Sequence, residues 1–210
     1  QERAEVGTVY KQQSREEAIR LGLDIVGPKL RQTADAGKEQ AVDNKLYVYC
    51  WRGGMRSEKM AWLFDLSGLD TRVLEGGYKG YRQYGQEIID RIEEYIVVQG
   101  PTGSGKTEII QGLAAAGEQV IDLEGLANHK GSAFGGLGQA RQPSTQQFQN
   151  EIYRLINDFD PHRPVWLESE SATIGKVYLP EKLWQRMNAA LIISINVPTE
   201  ARVRNIIAQY

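Results

Sequence analysis

The sequence predicts an α/β protein built from two modules with parallel strands, on three observations. Strand-like and helix-like runs alternate from Leu46 onward, two Gly-rich loops each lie between a strand and a helix, and the middle strands are short continuous apolar runs. In chain order, Gln1 to Val26 reads as helical: Ser14-Arg15-Glu16-Glu17 fits a capping box, Gly22 stands where a helix stops, and Gly27-Pro28 ends the segment. Arg31 to Asn44 is polar, with no period that assigns it. Leu46 to Tyr49 is β-prone and runs into Cys50, a Gly-rich loop and a helix from about Ser57. Met60, Leu63 and Phe64 share one face of that helix, and Gly68 stops it. Thr71 to Leu74 is the next strand, closed by Glu75-Gly76-Gly77, and the strand, loop, helix, strand order implies parallel pairing through a right-handed crossover.

An amphipathic helix near Tyr84 to Glu94 leads to the second series. Tyr95 to Gln99 is a strand, Gly100 to Thr107 a loop, and Glu108 to Ala116 a helix ended by Gly117. Strands recur at Gln119 to Leu123, Val165 to Glu168 and Leu191 to Val197, and a helix starts near Thr199. The expected domains are 1–94 and 95–210. Two short parallel strands cannot bury a sheet on both faces, so the first domain is expected to have further strands upstream, and the second to continue past Tyr210.

Composition narrows the class. With 41% hydrophobic and 25% charged residues the chain is globular, and Lys+Arg 25 against Asp+Glu 27 leaves no overall basic field to announce a nucleic acid. Apolar runs such as Ala189 to Ile193 are too short to span a membrane and the N-terminus is polar, so no membrane partner and a cytoplasmic location are expected. A single cysteine excludes an internal disulfide and a cysteine-based zinc site.

Gly100-Pro101-Thr102-Gly103-Ser104-Gly105-Lys106-Thr107 has the G-x-x-x-x-G-K-T spacing of a phosphate loop, between a strand and a helix. Its glycines let backbone N–H groups turn inward on a phosphate, the helix adds its positive end, Lys106 neutralises phosphate oxygens and the Thr107 hydroxyl suits Mg²⁺. The carboxylate on the metal side should end a neighbouring strand. Asp122 with Glu124, and Glu168 with Glu170, are two apart and on an extended strand share a side. Glu168 is favoured because Val165-Trp166-Leu167 leads to it; solvated strand-end charges are the alternative. Between these strands, Ala127 to Gly136 is small and locally basic and reads as a lid or a surface linker, with His129 suited to a polar contact rather than a metal.

Cys50-Trp51-Arg52-Gly53-Gly54-Met55-Arg56-Ser57 places a thiol at a strand end, then a loop and a helix N-terminus. Converging N–H groups favour the thiolate, and Arg56, helped by Arg52, can clamp an oxyanion. A thiolate so held can attack a phosphate ester, as in cysteine phosphatases with the same spacing, or carry sulfur or selenium, as in rhodanese-type transferases. Tyr49 stands where the phosphatases commonly have histidine, and Val73-Leu74-Glu75-Gly76-Gly77-Tyr78 resembles the rhodanese ending, which favours chalcogen transfer.

Together the two loops make the chain resemble the tRNA 2-selenouridine synthases. The resemblance rests on Tyr49 to Ser57, Glu75-Gly76-Gly77-Tyr78-Lys79, Gly100 to Thr107, Asp122-Leu123-Glu124-Gly125-Leu126-Ala127-Asn128-His129 with Gly131 to Gly135, and Glu168-Ser169-Glu170-Ser171 with Ile174-Gly175. It implies a rhodanese-like domain followed by a P-loop domain. It also implies exchange of the sulfur of wobble 2-thiouridine in tRNA for selenium from selenophosphate, through a geranylated intermediate. Cys50 would be the nucleophile, Arg52 and Arg56 the selenophosphate clamps, and the phosphate loop the holder of geranyl diphosphate or a nucleotide, which the residues do not separate. A selenophosphate-producing enzyme is an implied partner. The early rhodanese strand with its Asp-Val-Arg segment and the family's C-terminal extension are not in this chain. The alternative is a P-loop kinase or NTPase carrying a rhodanese-like regulatory or phosphatase-like module. Candidate RNA phosphate contacts are Arg52, Arg56, Lys59, Lys79 and Arg82 near the cysteine loop, and His129, Lys130 and Arg141 near the small-residue segment.

Overall fold

The computed structural model describes residues 1–132 and 134–209; Ala133, within the small-residue segment, and Tyr210 lie outside the described residues. The chain divides into two compact units, Gln1–Tyr81 and Arg82–Tyr210.

In the first unit, α1 (Glu2–Gln12) and α2 (Arg15–Val26) replace the single helical stretch expected from sequence. Ser14 explains the break: it is extended, and its hydroxyl accepts the Glu17 N–H, so it starts a helix instead of continuing one. Gly22 is no stop, since α2 runs through it to the 3₁₀ turn at Gly27–Lys29. The unassigned polar stretch is mostly α3 (Leu30–Gln40), in which only Gly37 is buried, against the Phe64 ring. β1 (Lys45–Val48) and β2 (Asp70–Val73) pair in parallel with Leu46 opposite Thr71, and α4 (Met55–Leu66) crosses between them. Ala61, Leu63, Phe64 and Leu69 are buried around this crossover. α5 (Gly77–Arg91) contains the division between the units.

The second unit is a four-stranded parallel sheet in the order β4-β5-β3-β8, made of β3 (Tyr95–Gln99), β4 (Gln119–Ile121), β5 (Val165–Glu168) and β8 (Leu191–Ser194). α6 (Lys106–Ala115) follows β3, and the short α7 (Leu123–Ala127) follows β4. Asp122 therefore does not sit on a strand beside Glu124. It is the N-cap of α7 and its carboxylate accepts the Gly125 N–H at 2.7 Å, which turns the chain before Glu124. α8 (Thr145–Asn157) buries Phe148, Ile152 and Ile156, spaced by four, and is capped by the Ser144 hydroxyl. β6 (Thr173–Ile174) and β7 (Val177–Tyr178) form an antiparallel hairpin, followed by α9 (Glu181–Asn188) and α10 (Thr199–Gln209). The core is apolar, with Ile110, Ile121, Phe148, Ile152, Val165, Leu167 and Leu183 fully buried, whereas Leu191, Ile192 and Ile193 of β8 are exposed. Because β3 is central, the loop after it lies at the carboxyl edge of the sheet, where open α/β sheets place ligands.

Phe148, with no exposed surface, should be among the costliest side chains to truncate. Phe148→Ala is expected to destabilise the second unit by about 3–5 kcal/mol in urea unfolding, with an unchanged native m-value.

Candidate functional sites

In the first unit, the end of β1 delivers Cys50 to a loop that the Glu75-Gly76-Gly77 turn braces from behind. The Tyr78 N–H donates to the Cys50 carbonyl and the Lys79 N–H to the Trp51 carbonyl, both at 2.9 Å. Gly53 and Gly77 both have positive φ and meet backbone to backbone, so a Cβ on either would overlap the other's segment. With its carbonyl so engaged, the Cys50 loop turns its N–H groups to the sulfur. The thiol is held down to about 6, first by the Ser57 hydroxyl, 3.4 Å from Sγ, and then by the N–H groups of Arg52, Ser57 and Gly54. Ser57 is buried and also lies 2.9 Å from the Gly54 carbonyl; its one proton is best used when the sulfur is ionised. Arg52 and Arg56 are exposed, and their guanidinium groups are not among the causes of the thiol's acidity, to which Arg52 adds only its backbone N–H. Ser57 carries no motif of its own beyond closing the cysteine loop; its place three residues after Gly54, at the first turn of α4, is the signal that marks it.

Beside this loop the rings of Trp51 and Tyr78 lie 5.6 Å apart, with Tyr49 and Tyr81 at 6.3 and 6.1 Å from Tyr78. Tyr49 and Trp51 are exposed.

In the second unit the phosphate loop lines a cavity of about 730 Å³ together with Asp122, Glu124, His129, Lys130 and Glu170. Lys106 Nζ holds the Gly100 carbonyl at 2.9 Å, and the buried Ser104 hydroxyl has no partner among the described residues. α10 braces the loop: Arg202 Nε donates to the Thr102 carbonyl at 3.0 Å and Asn205 Nδ2 to the Gly103 carbonyl at 2.9 Å. Neither residue carries a motif that a sequence reading could find.

The carboxylates are sorted differently from the expectation. Glu168, favoured for the metal, is 1% exposed and outside the cavity lining; its Oε1 accepts the Glu124 N–H at 2.7 Å and Oε2 has no partner among the described residues. Burial first, then the neighbouring Asp122 and Glu124 charges, push it up to about 8 against the Glu124 N–H bond. Glu124 is the group beside Thr107, whose hydroxyl donates to its Oε2 at 3.2 Å. Glu170 lies against Glu124, and burial, a shared hydrogen bond with Glu124 and the Glu124 charge raise it to about 7 while Lys106 opposes. The Thr107 hydroxyl and the Glu124 carboxylate fit a hard cation that keeps most of its water, whereas Glu168 does not. No cluster of three His, Cys, Asp or Glu side chains able to hold a metal occurs among the described residues.

His129 makes no polar contact through Nδ1, which is buried and unpaired among the described residues. Gln142, passed over in the sequence, ties the segment down: its Nε2 donates to the Ala127 and Ile174 carbonyls, each at 3.0 Å. Arg82, a candidate RNA contact, is instead spent on the Gln149 side chain and the Tyr153 ring.

Residues 93–210 match the family model described as the tRNA 2-selenouridine synthase AAA domain. The tRNA 2-selenouridine synthase of Nitrosomonas europaea is 39% identical in an alignment that covers 100% of this chain and 56% of that protein. Those of Shewanella frigidimarina and Bdellovibrio bacteriovorus are each 38% identical, covering 100% of this chain and 58% and 57% of theirs. The chain thus spans little more than half the length of the curated relatives it matches. A solved N-terminal domain from Clostridium difficile 630 is 43% identical, covering 40% of this chain and 65% of that one with a TM-score of 0.35. No helix among the described residues is long and apolar enough to cross a membrane.

Two titrations probe the geometry. The rate of Cys50 alkylation by iodoacetamide should rise through a midpoint near pH 6, and Ser57→Ala should move that midpoint upward. Glu168 holds its proton more tightly folded than unfolded, so stability is full below about pH 4.5 and is lost as pH rises toward about 8. Glu168→Gln should flatten this slope in thermal melts run from pH 5 to 8, with its largest gain over the parent at the alkaline end.

Proposed function

The chain belongs to the family of tRNA 2-selenouridine synthases, and on that premise we propose that it replaces the sulfur of wobble 2-thiouridine in tRNA with selenium from selenophosphate, through an S-geranylated intermediate. The observation that carries the proposal is one polypeptide holding both a cysteine kept near its thiolate form and a separate phosphate cradle.

In the first step the thiouridine sulfur attacks C1 of geranyl diphosphate. The C–S bond forms, the C–O bond breaks, and diphosphate leaves with the electron pair. Negative charge grows on the leaving group, so the groups that matter are the free N–H groups of the loop, the N-terminus of α6 and Lys106, which exchanges the Gly100 carbonyl for a phosphate oxygen. Thr107 and Glu124 would hold Mg²⁺, which would neutralise part of the diphosphate charge. In the second step the Cys50 thiolate attacks the phosphorus of selenophosphate, the S–P bond forming as the P–Se bond breaks. The selenide released attacks C2, the C–S bond breaks as the geranyl thiolate leaves and takes up a proton, and water returns the phosphoryl group as phosphate and restores the thiolate. Cys50 is the nucleophile that handles the selenium donor, and Arg52 and Arg56 hold its anionic end. Such a site calls for an enzyme that supplies selenophosphate. The exposed rings of Tyr49 and Trp51 offer faces on which an unstacked base can lie, and Lys59 and Lys79 can meet RNA phosphates.

Mass spectrometry of wobble nucleosides, after reaction of thiolated tRNA with geranyl diphosphate and selenophosphate, tests this. Cys50→Ala should abolish selenouridine while S-geranyl-thiouridine accumulates. Lys106→Ala should slow geranylation by about 10²-fold. Selenation retained in Cys50→Ala, or ATP or GTP turnover with no geranylation at all, would defeat the proposal.

A further inference from the structure

Two cavities of the second unit share His129 and Gln139 as lining residues. The first is the phosphate-loop cavity. The second, of about 970 Å³, is lined by Phe134, Leu137, Ala140 and Pro143, with Arg141 and Lys176 also on its wall. Its size lies at the upper end of what small-molecule sites offer. Phe134 and Leu137 are 70% and 61% exposed, two large apolar side chains on the wall of one cavity next to an anion cradle. A single exposed apolar residue needs no explanation; a pair held in place beside a polar site does.

The wall is built. The Leu137 N–H donates to the Phe134 carbonyl at 2.9 Å, which fixes the turn that presents both side chains. Asn128 Nδ2 donates to the Arg141 carbonyl at 3.2 Å, Gln142 spans the Ala127 and Ile174 carbonyls, and Gln142 Oε1 accepts the Lys176 N–H at 2.8 Å. These bonds bear on the occupant. A nucleobase is read by side-chain amides, and of the three on this wall Gln142 has both amino protons and its carbonyl oxygen, and Asn128 one amino proton, already spent on backbone groups. That leaves Gln139 as the one amide of the wall with no such bond among the described residues. What the wall has left to offer is mainly apolar surface.

We propose that this second cavity holds the hydrocarbon chain of the diphosphate ester whose headgroup the phosphate loop takes, with Phe134 and Leu137 as its contact residues and His129 at the junction between head and chain. The inference rests on the reading of Gly100 to Thr107 as a cradle for geranyl diphosphate and adds to it a separate subsite for the chain. It makes the specificity of the alkyl step a matter of apolar contact, because the anion cradle alone cannot tell one diphosphate from another.

Calorimetric binding of geranyl diphosphate, inorganic pyrophosphate and GTP to the protein and to Phe134→Ala and Leu137→Ala separates the outcomes. Both side chains are exposed, so the variants should fold as the parent does. The expected result is that the parent binds geranyl diphosphate more tightly than pyrophosphate, and that each variant loses about ten-fold on the former with pyrophosphate unchanged. A parent that prefers geranyl diphosphate while both variants bind it equally well overturns the subsite and leaves the cradle reading standing. A parent that binds geranyl diphosphate no better than pyrophosphate overturns the cradle reading and the subsite with it. Variants that lose affinity for GTP as strongly as for geranyl diphosphate overturn the hydrocarbon occupant in favour of a nucleoside.

Discussion

Everything functional in this chain depends on helix N-termini set opposite the ends of parallel strands. The first N–H groups of a helix have no partner inside it, and a loop that curls tightly enough adds its own. The first unit directs this arrangement at a sulfur, between β1 and α4. The second directs it at the cavity lined by Gly100 to Thr107, between β3 and α6. In both cases the curl requires backbone to pass where a side chain cannot go: at Gly53 against Gly77 in one loop, and at Gly103 against the Arg202 carbonyl in the other. The chemistry differs because of what stands in the cradle. A thiol turned toward donors becomes a nucleophile, whereas empty donors bind an anion.

The phosphate cavity has more carboxylates than cations, which would repel a diphosphate if all were ionised. The fold removes that charge in two ways. Glu168, outside the cavity lining but bonded to the Glu124 N–H, keeps its own proton to about pH 8 and so adds no further charge behind Glu124. Glu170, facing Glu124, is raised to about 7, so the facing pair holds a proton near neutrality. A cation on Thr107 and Glu124 would relieve the same charge if a diphosphate were bound as proposed, so proton and cation would serve one electrostatic need.

How much was legible follows from how local each signal is. β3 and β5 fall on the sequence expectation residue for residue, because Tyr95 to Gln99 and Val165 to Glu168 are β-prone apolar runs bounded by chain breakers or polar residues. Both loops were legible because their spacing is the chemistry. α3 was not, since a helix that buries only Gly37 leaves no apolar stripe to read. Glu168 shows the limit of a correct observation: the apolar run before it marks a buried strand end, and the same burial that suggested a functional carboxylate withdraws it from the cavity. Asp122 was misplaced because its preference for capping outweighed the extended geometry of β4. Ser57, Gln142, Arg202 and Asn205 act through partners fixed by tertiary structure, which composition and period do not encode.

The last of these residues explain why the phosphate loop faces its cavity with donors. Each carbonyl from Gly100 to Gly103 is taken: Gly100 by Lys106 Nζ, Pro101 by the Ser104 N–H, Thr102 by Arg202 and Gly103 by Asn205. The N–H groups of Gly103 and Gly105 have no such bond among the described residues. A peptide unit whose carbonyl is tied on one side must present its N–H on the other, so two side chains of α10, about a hundred positions down the chain, help to set the sign of the cradle. One of the four ties differs from the rest. Lys106 is itself an anion-binding group, and a phosphate that takes its ammonium frees the Gly100 carbonyl. On the proposed reading, a bound phosphate would break the tie at the mouth of the loop and leave the two made by α10, which would keep the donors aimed inward.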